Sequence, residues 1–269
     1  TYTVLSQIAA EQFGMSMDDV TVHLGDSSLP TAYVEGGSVT AASSGTAIQL
    51  ACLAIKEKLF KQSKHDSFKG VDPIETIFRD GSVALKRTPA ETVTIASLME
   101  AAGLDEIEEM GKAGPDVKQM LKYISYTHSA VFVEVRVDEQ LGVVRIKRVV
   151  SAIAAGRILN PKTARSQILG GVVMGIGMAL HEESLWDHGT GRIMNHNLAE
   201  YHVPAHADIE DIEVIFVNEE DELVNDLGIK GLGEIGIVGV PAAISNAIFH
   251  ATGKRLRDLP ITIDKIIAP

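Results

Sequence analysis

A single cysteine in 269 residues, Cys52, excludes a disulfide framework and any all-cysteine metal site within the chain. It lies in the apolar stretch 49–55, the setting of a buried thiol that packs as a small hydrophobe. No run approaches the roughly 18 apolar residues of a membrane span. The start, Thr1-Tyr2-Thr3-Val4, has neither the basic region nor the apolar core of a signal peptide. Positive charge is scarce as well: 24 Lys and Arg stand against 36 Asp and Glu, and the formal net charge of -12 repels nucleic acid and anionic lipid. A soluble, cytoplasmic protein with neither nucleic acid nor a membrane span among its partners is expected. The chain also lacks a G-x-S-x-G elbow, a Walker loop, an H-E-x-x-H helix and any internal repeat. It starts without methionine, part-way along a helical pattern, so further chain is expected before it.

What is present suits a globular protein: 45% hydrophobic residues and 24 glycines, enough for one large domain or two ordinary ones. Val4, Leu5, Ile8, Ala9 and Gln12 have helical spacing up to Gly14, and residues 20–24 alternate like a strand. Gly36-Gly37-Ser38-Val39-Thr40 reads as a loop leading into a helix over about 42–60. Residues 61–124 break into short elements between turns. The clearest hairpin pairs 130–137 with 143–150 across a turn at 138–142. A helix over 162–183 contains Gly170, Gly171, Gly175 and Gly177, each costing up to about 1 kcal/mol unless another backbone or a ligand comes close. A strand at 213–217 and a helix between Pro241 and Gly253 complete the pattern. Strands and helices without regular alternation predict an α+β fold, with mixed sheets and packed helices.

Three segments could carry chemistry. In Lys230-Gly231-Leu232-Gly233-Glu234-Ile235-Gly236 a lone carboxylate sits among glycines and aliphatics. Burial there would raise its pKa and make Glu234 a usable general base; equally, Glu234 could simply accept backbone N–H bonds near a helix start. The same run matches G-x-G-x-x-G, but a turn precedes it where a dinucleotide fingerprint needs a strand. The loop at 36–40 could cradle an anion on backbone N–H groups, or serve as a helix start capped by Ser43 or Ser44. Gln167, on the Gly-rich helix, could offer its amide to a ligand or to water. Five of the nine histidines fall between His181 and His206; Pro204 separates His202 from His206, which favours a polar surface over a metal site.

The order of these motifs resembles the large subunit of molybdenum hydroxylases, the xanthine dehydrogenase and aldehyde oxidase family. The resemblance rests on Gly-Asp-Ser at 25–27, the Gly-Gly-Ser-Val-Thr loop, Gly156-Arg157-Ile158-Leu159-Asn160-Pro161, Gln167-Ile168-Leu169-Gly170-Gly171, Gly231-Leu232-Gly233-Glu234 and the closing stretch 251–260. It implies the C-terminal portion of a molybdopterin-binding domain: a cofactor segment at 1–62, a peripheral insertion at 63–124, and a cofactor-binding and catalytic segment at 125–269. It implies hydroxylation of a small-molecule aldehyde or nitrogen heterocycle with oxygen from water, with Glu234 as base. Gly37, Ser38, Val39, Thr40, Gln167 and Gly233 would hold molybdenum-molybdopterin or its cytosine dinucleotide form, the pterin and no side chain ligating the metal. The implied partners are the preceding half of the subunit, an iron-sulfur subunit and an FAD subunit, in a dimer of heteromers. A non-catalytic cofactor-binding or assembly module of the same fold is the alternative.

Overall fold

The computed structural model describes residues 1–115 and 117–268, and the chain divides into two compact units. One comprises Thr1–Ile124 with Glu222–Ile229, the other Ser125–Asp221 with Lys230–Pro269. Helices and mixed sheets make an α+β fold, as the pattern of elements led us to expect.

The first unit begins with α1 (Tyr2–Phe13), which buries Leu5, Ile8 and Ala10. Gly14 ends it in the left-handed conformation, where a β-carbon would lie 2.5 Å from the Phe78 carbonyl oxygen. Helix α2 (Thr40–Gln62) buries Leu59 and Phe60 near its end. Three strands, β1 (Thr76–Arg79), β2 (Ser82–Leu85) and β3 (Thr88–Thr94), form an antiparallel meander, followed by α3 (Ile95–Ala102) and the short α4 (Val117–Met120). Leu59 and Phe60 of α2 join Phe68, Val83, Leu85 and Leu98 in one apolar cluster. The polarity of 61–124 concealed this sheet: β3 (Thr88–Thr94) is almost wholly exposed and carries no apolar alternation.

One expected strand is absent. Residues 20–24 join no sheet among the described residues, and Thr21, His23 and Leu24 are exposed. Alternation marks a segment able to pair; pairing also needs a neighbouring edge, and none is hydrogen-bonded to it.

The second unit is built on β4 (His128–Asp138) and β5 (Val143–Ala154), the expected hairpin grown longer at both outer ends. Asp138 accepts the backbone N–H groups of Gln140 and Leu141 at 3.1 and 3.0 Å, and Gly142 adopts φ 67°, which closes the turn. After β5 comes α5 (Pro161–Leu180), where Asn160 caps the start by accepting from Thr163 N at 3.0 Å and Pro161 takes the first turn. A small ladder, β6 (Trp186–Asp187) with β7 (Arg192–Ile193), precedes β8 (Ile212–Phe216), which pairs parallel to β5. The sheet order is β4-β5-β8, and α6 (Val240–Thr252) and α7 (Ile263–Ile267) end the chain. Ile146, Val149 and Ile153 of the sheet, Ile168, Val172 and Ile176 of α5, and Ile244 and Ile248 of α6 share one core. Among the described residues no helix is long and apolar enough to cross a membrane.

Candidate functional site

The start of α2 lies in the first unit, and two consecutive residues before it are left-handed: Gly37 at φ 64° and Ser38 at φ 58°. Glycine adopts that region freely, but a serine held there is strained and needs a reason. Capping is not that reason. Ser43 Oγ donates to the Val39 carbonyl at 3.0 Å instead of accepting a backbone N–H, and no side chain caps the helix start. The first N–H groups of a 23-residue helix therefore carry the positive end of its dipole with no side-chain acceptor. Ser38 Oγ is buried and has no hydrogen-bond partner among the described residues. A buried hydroxyl left unpaired costs about 1–3 kcal/mol, so this loop has the chemistry of an anchor for an oxygen-rich group.

In the second unit, Gly171 and Gly175 of α5 have the close neighbours that such glycines call for, whereas Gly170 faces open space and Gly177 meets the side chains of Glu182 and Pro204. A β-carbon on Gly171 would lie 2.7 Å from the Gly236 carbonyl carbon, and one on Gly175 would lie 2.5 Å from Val240 Cβ. The helix thus meets the segment that carries Glu234 backbone against backbone where Gly171 faces Gly236. That segment is a series of overlapping turns: the carbonyls of Glu234 and Ile235 accept from Ile237 N and Val238 N, both at 3.2 Å, before Gly239 opens α6 at φ 86°. No strand leads into it, and the helix begins only at Val240, so the dinucleotide fingerprint lacks its scaffold.

Gln167, Gly233 and Glu234 are all exposed in this chain. For Glu234 this corrects an expectation. Of Leu232, Ile235 and Ile237, the apolar neighbours expected to desolvate its carboxylate, Leu232 and Ile235 pack instead against the core that holds Ile168 and Val240. The core took those aliphatics and left the carboxylate outside. His202 lies on irregular chain and His206 opens a 3-10 turn, so the pair shares no helical face.

Sequence reading passed over Lys230. Its side chain is only 7% exposed, with Nζ 2.7 Å from Glu219 Oε1 and 2.9 Å from Asp221 Oδ2. The other oxygen of Glu219 accepts the Gly156 N–H at 2.7 Å. Burial pulls the Lys230 ammonium down, but its bonds to Glu219 and Asp221 more than offset that and hold it above the ordinary lysine value. The hydrogen bond from Lys230, then that from Gly156, keeps the Glu219 carboxyl below the ordinary glutamate range. The available signal was a lysine opening a glycine run, eleven and nine residues after two acids.

Residues 1–210 match the family model of the molybdopterin cofactor-binding domain. The chain belongs to that family. The match includes residues 37–40 and Gln167, while Glu234 lies beyond it. Over 267 residues this molybdopterin-binding chain is 41% identical to the aldehyde oxidoreductase molybdenum-binding subunit PaoC of Escherichia coli (strain K12), an alignment covering 99% of the chain and 35% of the relative. It is 32% identical over 265 residues to the xanthine dehydrogenase molybdenum-binding subunit of Escherichia coli O157:H7, covering 97% and 34%. The chain therefore spans about a third of the length of these curated relatives. Quinoline 2-oxidoreductase from Pseudomonas putida 86 shares the fold, with a TM-score of 0.85 at 24% identity over 98% of this chain and 34% of that one.

Proposed function

We propose that the chain is the C-terminal part of the molybdenum-binding subunit of an oxidoreductase that hydroxylates an aldehyde or a nitrogen heterocycle. The observation that carries this reading is the buried, unpaired Ser38 hydroxyl in a left-handed loop at an uncapped helix start, within a molybdopterin cofactor-binding domain. Residues 37–40 would hold the cofactor through backbone N–H groups and the Ser38 hydroxyl, and Gln167 would add an amide hydrogen bond. When bound, the molybdenum-pterin group, as molybdopterin or its cytosine dinucleotide, supplies the two-electron redox chemistry. Gly233, in the segment that carries Glu234, would also contact the cofactor. The Glu234 carboxylate takes the proton that oxygen from water must lose before bonding to that carbon. Electrons then leave through iron-sulfur and FAD subunits, in a cytoplasmic dimer of heteromers that includes the preceding half of this subunit.

The test is Glu234→Gln in the complete enzyme. Loss of a general base lowers turnover by about 100-fold or more, and the isosteric change should leave molybdenum content intact. Near-normal turnover would remove Glu234 from the role.

The exposure of Glu234 in this chain favours a second reading, a non-catalytic cofactor-binding or assembly module. Molybdenum and pterin content together with turnover of the intact complex separate the two. Cofactor near one per chain with turnover supports the enzyme; cofactor without turnover, or no cofactor, supports the module.

A further inference from the structure

Between Gly231 and Gly239 the chain has four glycines in nine residues and no regular hydrogen-bonded ladder. Such a segment costs more backbone entropy to order than one without glycines and needs fixed points at its ends. Its far end is fixed by Gly236 against α5 and by the start of α6. Its near end is fixed by Lys230. The ammonium bridges Glu219 and Asp221, Glu219 reaches on to Gly156 N, and Lys230 N donates to the Ala155 carbonyl at 3.1 Å. One residue later the Gly231 carbonyl accepts from Thr127 Oγ1 at 2.7 Å. The chain leaves this unit after Asp221 and re-enters it at Lys230, so the two ion pairs tie together the outgoing and returning chain. An exposed pair would contribute little, but an ammonium this buried cannot lose its carboxylates without leaving charge uncompensated.

We infer that Lys230, held by Glu219 and Asp221, is a positioning residue that sets the place of Glu234 by pinning the near end of its glycine-rich segment to the chain just after β5. The inference rests on reading Glu234 as the base. A shift of about 1 Å in a reacting group costs on the order of 100-fold in rate, so the pin acts on turnover without touching substrate.

The experiment uses the complete enzyme complex with Lys230→Met, Lys230→Arg and the neutral triple variant Glu219→Gln, Asp221→Asn, Lys230→Met. Turnover, KM and thermal midpoint are measured beside amide hydrogen exchange of residues 231–239, with residues 168–179 of α5 as the internal reference. Lys230→Met should lower kcat by about 10- to 100-fold, leave KM within a factor of about three, and speed exchange in 231–239 by at least about tenfold with α5 unchanged. Lys230→Arg should recover part of both losses. The triple variant should regain the thermal midpoint, because no buried charge is left unpaired, while kcat stays low and exchange fast. Recovery of kcat together with the midpoint would overturn the inference and leave the lysine a purely structural residue. Unchanged exchange in 231–239 would overturn it too. If Lys230→Met fails to assemble, the arginine and triple variants decide by the same criteria. Glu234→Gln keeps the two failures apart: normal turnover there removes the base, while the exchange result judges the pin by itself.

Discussion

Gly171 and Gly236 meet backbone to backbone, and neither position has space for a methyl group. A β-carbon on Gly236 would lie 3.0 Å from Ile168 Cα, and one on Gly171 would lie 2.8 Å from Ile237 N. Both obstacles are main chain, so no side-chain rotation relieves them. Gly171→Ala should therefore cost about 1–3 kcal/mol, the usual range for overpacking a tight contact. Gly170, its neighbour, is exposed with open space around it. Gly170→Ala should raise stability by up to about 1 kcal/mol through helix propensity alone. Chemical denaturation of the two variants checks the pair, and equal effects would refute the close approach.

Ser38 separates fold stability from cofactor retention. Its buried hydroxyl has no partner among the described residues, so Ser38→Ala should leave stability unchanged or higher, since an unpaired buried polar group costs about 1–3 kcal/mol. Ser38→Gly should gain more, because a side chain in the left-handed region costs about 1–2 kcal/mol. Both should lose molybdenum and pterin faster during chromatography of the complete enzyme. Full retention would show that the hydroxyl anchors nothing.

The Lys230 cluster gives stability a defined pH dependence. The folded pKa of Glu219 is depressed, so its contribution is complete above the unfolded carboxylate value of about 4.3 and fades as pH falls through the folded value. The folded pKa of Lys230 is raised, so its contribution is complete below the unfolded value of about 10.4 and fades as pH rises through the folded one. Between these limits the cluster adds a flat term. Denaturation midpoints between pH 3 and pH 7 should show a shallower acid limb for Glu219→Gln than for the parent chain, and an unchanged limb would contradict the assignment.

Legibility varied with how local the signal was. The helix that follows Asn160-Pro161, Gly14 and Gly253 at helix ends, and the 138–142 turn depend on neighbouring residues and stood plainly in the sequence. The meander at Thr76–Thr94 did not, because exposed strands carry no apolar period. Residues 20–24 misled in the opposite way, showing the period of a strand without a partner to pair with. At the candidate site, the order of the motifs brought out residues 37–40, Gln167 and Glu234, whereas Glu219, Asp221 and Lys230 form no recognisable pattern along the chain.

By itself the sequence determined the acidic character, the single thiol, most helices and the long hairpin, the α+β class and the resemblance to a cofactor-binding family. These follow from composition and from periodicities that act within a few residues. Tertiary structure alone decided that β8 lies parallel to β5, that Gly171 and Gly175 of α5 serve Gly236 and Val240, and that Glu234 is exposed while Leu232 and Ile235 face the core. It also decided that a lysine and two acids meet after the chain has left one unit and returned. The physical reason is the same in each case. Side-chain type limits which contacts are affordable, but which face of a segment is buried, and which distant charge lies beside it, depends on packing between elements far apart in sequence.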